Sequence, residues 1–271
     1  MSDYLHLFET QAAHDAAYNG SEYIEPWVGL ITANDTLSYN DPDPYHKIPL
    51  TFEITSAGNI IWKGSGKTIQ YRINNGEWTN LTATSSGVSF SVNSGDIVQF
   101  RGNNNNYSTG TSSSHNRFIG STAGFKVKGN IMSLCSPTQY PEFVSLKSTY
   151  TFYGLFYNCT GLTDASKLIL PATTLKNSCY ASMFLGCSNL TTAPELPATT
   201  LADFCYASIF NGCTNLNYIK CLATNISATN CVYNWVNGVA ASGTFIKNAS
   251  MTSWPTGVNG IPSGWTVQDA S

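Results

Sequence analysis

The sequence predicts a mainly β protein in which an antiparallel β-sandwich is followed by a short solenoid. The first sign is a stretch between residues 150 and 240 that repeats itself: Cys179–Cys187 (CYASMFLGC) recurs as Cys205–Cys213 (CYASIFNGC), an offset of 26 residues. At the same offset, Leu170–Leu175 (LPATTL) recurs as Leu196–Leu201 (LPATTL). The second sign is a set of short runs between residues 47 and 130 that alternate apolar and polar residues, separated by Gly, Asn and Ser. A unit of about 26 residues cannot bury an apolar face alone, so its copies must stack, whereas short alternating runs pair into sheets with one buried face.

The repeat comes first because it shapes the rest. An earlier copy, Thr151–Cys159 (TFYGLFYNC), lies 28 residues upstream, with two extra residues within Asp164–Ile169. A decayed copy follows as Cys231–Val239 (CVYNWVNGV). Aligned, the copies form columns of Phe156, Phe184 and Phe210, of Cys159, Cys187 and Cys213, and of Leu162, Leu190 and Leu216. A fourth column holds Leu155, Met183, Ile209 and Trp235. Phe-x-x-Cys-x-x-Leu sets three apolar groups on a tightly coiled path, and these nine residues are the expected structural core of the repeat. Pro171, Pro194 and Pro197 forbid a long helix in the connecting arm. The Cys-Tyr-Ala-Ser-Met-Phe run has room for one or two helical turns. The unit is therefore a leucine-rich-type coil, and residues 131–271 are expected to form a leucine-rich-type repeat domain, a solenoid with short helical turns and a cap at each end.

These residues carry a resemblance. Phe-x-x-Cys-x-x-Leu with its Pro-rich arm resembles the BspA-like (Treponema-type) leucine-rich repeats. The longer run at residues 179–201 (CYASMFLGCSNLTTAPELPATTL) looks like the version in proteins of gut Bacteroidales and their phages, including crAss-like phages. The stretches at 8–28 (FETQAAHDAAYNGSEYIEPWV) and 259–270 (NGIPSGWTVQDA) are similar to an opening and a closing found in the same proteins. The resemblance implies a virion appendage, a fibre or a capsid decoration, attached through its N-terminal segment and forming a homo-oligomer; a trimer is the common state of fibre proteins.

Residues 1–46 read as that attachment segment. Thr10 caps a short helix, Gln11–Tyr18, which Asn19-Gly20 stops; Tyr23–Ile31 is extended, and Asp41-Pro42-Asp43-Pro44 is a stiff turn. Residues 47–130 form the sandwich, with strands at Pro49–Thr55, Thr68–Asn74, Val88–Val92, Asp96–Arg101 and Gly124–Gly129. Asn75-Gly76, ahead of Trp78, signals a hairpin because both residues tolerate positive φ. Gly102–His115 (GNNNNYSTGTSSSH) is polar and of low complexity, hence a long exposed loop. Ile131, Met132, Leu134, Phe143, Val144 and Leu146 supply a cap for the first repeat, and Trp254, Ile261, Pro262, Trp265 and Val267 a cap for the last.

Composition narrows the function. Charged residues are 11% and the net charge is −3, against the clustered Lys and Arg that nucleic acid binding needs. Residues 1–6 have no basic or apolar leader character, and no apolar run approaches a membrane span, so neither export nor membrane insertion is expected. A surface-type composition made in a host cytoplasm and delivered by lysis fits a virion. Six of the eight cysteines fall in the repeat, with Cys179, Cys205 and Cys231 forming a second column beside Cys159, Cys187 and Cys213. None has zinc spacing; a reduced, stacked ladder is the preferred reading, with disulfides formed after release as the alternative. Cys135 and Cys221 stand apart.

Little points to chemistry. Gly64-Ser65-Gly66-Lys67-Thr68 looks like the end of a phosphate-binding loop, but Ile61 stands where its first glycine belongs and a strand follows. His6, His14, His46 and His115 have no nucleophile beside them, and His14, Asp15 and Glu22 are better read as a surface helix and turn than as metal ligands. The repeat contains only Asp164, Glu195 and Asp203 as acids, and among Glu53, Glu77 and Asp96 no glycosidase pair stands out. No catalytic residue, metal or cofactor is expected. If the Cys of each Cys-Tyr pair points inward, the next residue lies near the surface, so Phe152, Tyr180 and Tyr206, flanked by Tyr153 and Tyr233, make an aromatic row able to stack on sugars or line a protein interface. The alternative is that these rings finish the core. The expected function is thus a structural virion appendage that displays its repeats for adhesion to a host-surface glycan or protein. A bacterial surface adhesin and a polysaccharide depolymerase remain as other classes.

Overall fold

Runs that alternate apolar and polar residues become strands here because one face of each is covered. The computed structural model describes residues 44–110 and 115–270, all within the unit Pro44–Ser271. The expected helix Gln11–Tyr18, the extended Tyr23–Ile31, and His6, His14, Asp15 and Glu22 lie outside the described residues. The protein is mainly β, with three sheets and no α-helix among the described residues.

Eight strands precede the repeats: β1 Leu50–Ser56, β2 Gly58–Lys63, β3 Thr68–Ile73, β4 Thr79–Thr82, β5 Val88–Val92, β6 Ile97–Gly102, β7 Arg117–Phe118 and β8 Gly124–Asn130. A ninth, β9, is Leu162–Ile169. One sheet has the order β4-β3-β6-β1-β8-β9, and a smaller one the order β5-β2-β7. Rings from the two sheets meet between them: Phe52 of β1 and Phe100 of β6 each lie 4.9 Å from Phe118 of β7, and Trp62 of β2, in the same sheet as Phe118, lies 4.8 Å from it.

The β3–β4 hairpin turns one residue earlier than the sequence implied. Asn74 (φ 49°) and Asn75 (φ 61°) are the two left-handed residues, and the Gly76 N–H donates to the Ile73 carbonyl at 2.9 Å. Asn74 takes the position because its side chain is used: its Nδ2 donates to Asp96 (2.7 Å) and its Oδ1 accepts from the Ile97 N–H (2.9 Å). The 102–115 stretch is also not wholly exposed. Tyr107 is fully buried, donating to the Leu134 carbonyl at 2.6 Å, and His115 and Asn116 are buried as well; residues 111–114 lie outside the described part.

β9 pairs parallel with β8, so the large sheet runs on across the 130/131 position into the first repeat. Beyond it, β10 (Tyr218–Cys221), β11 (Thr244–Lys247) and β12 (Thr266–Asp269) form a parallel three-stranded sheet, each strand contributed by a successive turn of the chain. Ile131, Met132, Leu134 and Leu146 are buried ahead of the first repeat, whereas Val144 is 53% exposed and offers only its carbonyl, to the Thr173 N–H at 3.2 Å. At the far end Ile261 and Trp265 are buried, Trp254 stacks on Trp235 (5.4 Å, 5°), and Val267 stays 44% exposed.

Candidate functional site

The repeated run contains no helical turn; it is a chain of reverse turns with a left-handed residue at every fourth position. These are Tyr150, Gly154 and Asn158 in the first copy, and Ser178, Ser182 and Gly186 in the second. Phe204, Ser208 and Gly212 follow in the third, and Asn230, Asn234 and Gly238 in the fourth, all with φ between 49° and 76°. Positive φ at this interval ends any helix before it completes two turns. The backbone groups are divided between two duties. Leu155, Tyr157 and Cys159 donate to carbonyls three residues back, while Phe152, Gly154, Phe156 and Asn158 donate to Cys179, Ala181, Met183 and Leu185 of the next coil at 2.7–3.0 Å. The second coil binds the third through Tyr180, Ser182 and Phe184 in the same way, and the third binds the fourth through Tyr206, Ser208 and Phe210.

This geometry corrects the expected aromatic row. With a four-residue period, two adjacent residues face inward together, so Cys179 and Tyr180 are both buried, as are Cys205 and Tyr206. Phe152, Tyr180 and Tyr206 are at most 1% exposed and stack as an interior column, 5.8 and 6.1 Å apart. They present no surface to a ligand. Tyr153 is half-buried beside His115 (5.7 Å), and Tyr233 is 49% exposed on the last coil, so the five residues do not come together. The period is visible in CYASMFLGC, where apolar residues recur in adjacent pairs four apart; strand-like alternation was the wrong template.

Phe156, Cys159, Leu162, Phe184, Cys187, Leu190, Phe210, Cys213 and Leu216 are all fully buried. Phe156, Phe184 and Phe210 stack 5.4 and 5.7 Å apart. The column continues upward to Phe118 (5.7 Å) and downward to Trp235 (6.5 Å), which joins the space between the first two sheets to the far cap. All eight cysteines are free and buried. The Cys187 thiol donates to the Phe156 carbonyl and the Cys213 thiol to the Phe184 carbonyl, each at 3.0 Å, one coil back. Burial pushes the thiols of Cys159, Cys179, Cys213 and Cys221 up to about 12. Such groups stay protonated, and they are packing elements rather than nucleophiles.

Several acidic residues have structural duties, while Glu77 is exposed. Glu53 pairs with Lys128, Glu195 with Lys220 (2.8 Å), and Asp203 accepts from the Thr229 N–H (2.8 Å). Asp96 accepts from Asn74 and from the Asn93 N–H. His46 contacts the Pro141 carbonyl. No group of His, Cys, Asp and Glu that could hold a metal occurs among the described residues. Gly64-Ser65-Gly66 leads straight into β3.

A cluster that the sequence reading passed over lies on the outer face of the large sheet. Register pairs Arg72 of β3 with Gln99 of β6, and Gln70 with Arg101, so the arginines stand on a diagonal of one face. Arg72 Nε donates to Gln99 (2.7 Å) and Arg101 Nε to Gln70 (2.8 Å). The half-buried indole of Trp78 spans both, with its ring centroid 4.8 Å from the Arg72 guanidinium carbon and 4.1 Å from that of Arg101. Burial holds both arginines below their ordinary pKa, and at Arg72 the charge of Arg101 adds to the effect. The strand alternation of TIQYRIN and DIVQFR placed these side chains on one face; only the β3–β6 register and the turn before β4 brought Trp78 over them.

No protein-family model, curated protein or solved structure matches this chain.

Proposed function

We propose that the chain is a structural virion protein of a tailed, crAss-like phage, a fibre or capsid-decorating appendage. In this reading residues 47–130 are an antiparallel β-sandwich and residues 131–271 a short leucine-rich-type solenoid displayed outward for adhesion to a host-surface glycan or protein. Residues 1–46 attach it to other virion proteins, and the appendage is a homo-oligomer. The observation that carries the reading is the repeat run at 150–240, whose wording resembles the BspA-like repeats of Bacteroidales and their phages. Two further features support it. Coils bonded to one another along the backbone, with an unbroken ring column from Phe118 to Trp235, suit a stiff projecting element. A surface solvated by amides and hydroxyls, with 11% charged residues, suits life outside a cell.

Mass spectrometry and cryo-electron microscopy of purified virions test it. The expected result is this chain at a symmetric position on the particle with its repeats pointing outward. Absence from virions and recovery from bacterial outer membranes would sink the phage reading and favour a cell-surface adhesin.

A further inference from the structure

We propose that the outer face of the large sheet around Trp78, Arg72 and Arg101 binds an acidic glycan, a chain bearing uronate or sulfate groups. The inference does not depend on the virion reading, since it concerns the first sheet and not the repeats, and would hold on a phage or a cell.

The first support is charge. Arg101 takes part in none of the ion pairs among the described residues, which are Lys128–Glu53, Lys220–Glu195 and Lys247–Asp269. It is held partly buried, beside a second guanidinium of like charge. An anion beside Arg101 relieves the desolvation of its charge, and a guanidinium fork fits a carboxylate or sulfate with two parallel hydrogen bonds. The Nε atoms are already committed to Gln70 and Gln99, which fixes the planes of both forks.

The second support is shape and lining, which point to a sugar rather than an acidic peptide. Trp78 is a single half-exposed aromatic platform, suited to the apolar face of a pyranose ring. Around it stand amides and hydroxyls: Gln70 donates to Asn80 at 3.0 Å, and Thr68 and Thr82 share a hydrogen bond at 2.8 Å. These are partners for sugar hydroxyls. A peptide would call for a pocket or an exposed sheet edge with apolar anchors.

The test is calorimetric titration of the full chain, at about 0.15 M salt, with heparin, polygalacturonate, neutral dextran and poly-glutamate. Heparin or polygalacturonate is expected to bind and dextran not; because heparin carries both groups, binding of heparin alone points to sulfate, whereas binding of polygalacturonate shows that uronate suffices. Trp78→Ala and Arg101→Gln should each weaken binding at least about tenfold. Arg101→Lys, which keeps the charge and loses the fork, should fall between. Lys126→Gln, an exposed cation elsewhere on the same sheet, should bind like the parent. Near-ultraviolet circular dichroism identifies variants that remain folded, and Arg101→Lys keeps the test open if Trp78→Ala does not. The proposal is overturned if neither acidic glycan binds, or if folded Arg101→Gln binds as well as the parent. It is equally overturned if poly-glutamate binds as tightly as the glycans.

Discussion

The ring of Phe118, in the smaller sheet, lies 5.7 Å from the ring of Phe156, in the first coil, and 20° from parallel. Phe156 also meets Phe52 of the large sheet at 6.0 Å, while β9 continues that sheet in hydrogen-bonded register. Sheets and coils therefore share one core, and removing Phe156 empties space on both sides of the junction. Phe156→Ala should cost about 3–5 kcal/mol. Urea unfolding followed by tryptophan fluorescence and by far-ultraviolet circular dichroism should give coincident curves for parent and variant. Separate transitions for the two signals would mean that the junction does not couple the two parts.

Tyr180 predicts a stabilising substitution. Its hydroxyl is buried and has no hydrogen-bond partner, while its ring is stacked between Phe152 and Tyr206. An unsatisfied buried hydroxyl costs about 1–3 kcal/mol. Tyr180→Phe keeps the ring and removes that cost, so the melting temperature should rise or hold. A clear fall would mean that the hydroxyl is bonded.

The left-handed positions predict opposite effects for two changes that look equally mild. Gly212 has φ 76°, a left-handed conformation that a side chain disfavours, so Gly212→Ala should destabilise by about 1–2 kcal/mol even though its Cβ would make only ordinary contact, 3.5 Å, with the Gly186 Cα. Ser208 has φ 54° and bears the strain of a side chain in that region. Ser208→Gly should be neutral or stabilising, against the usual loss from adding glycine. Denaturation midpoints of the two variants decide the matter.

The buried thiols predict a pH dependence. Ordinary thiols ionise near 9, and burial moves Cys135, Cys159, Cys179, Cys213 and Cys221 up to about 12. The folded state holds these protons after the unfolded chain has released them. Their contribution to stability is therefore complete below about pH 9 and declines as pH rises toward 12. Urea midpoints should be level from about pH 7 to 8.5 and then fall. In the native state the thiols should be inert to a thiol-specific disulfide reagent at about pH 8, and react once the chain is unfolded. Fast reaction of native Cys187 or Cys213 would contradict their burial.

Legibility differed from element to element for physical reasons. β1, β3, β5, β6 and β8 were readable because each has one covered face, which writes alternation into the chain. β2 was not read: its Ile60-Ile61-Trp62 run lacks alternation, and the glycines that follow it drew attention to a false phosphate loop. Tyr107 looked like one polar-loop residue among many, yet it plugs the space between Trp62 and Phe152. Of the five aromatic residues proposed for binding, three proved interior. The Trp78 cluster escaped notice because its members lie up to 31 residues apart and meet only through strand register.

The sequence alone determined the repeat period, the identity of its buried columns and the position of five of the eight strands ahead of the repeats, because burial on one side imposes a spacing that the chain must keep. Whether residues beside those columns face inward depended on backbone conformation. Left-handed Ser182, Ser208 and Asn234 are not glycines, and their N–H groups are held by the next turn of the chain: Ser182 donates to the Ala207 carbonyl, Ser208 to the Tyr233 carbonyl and Asn234 to the Asn259 side chain. That constraint belongs to the stack, not to any single copy. The same holds for the junction at Phe118 and Phe156 and for the arginines beneath Trp78: contacts between distant segments carry no local spacing signal, so only the tertiary structure could decide them.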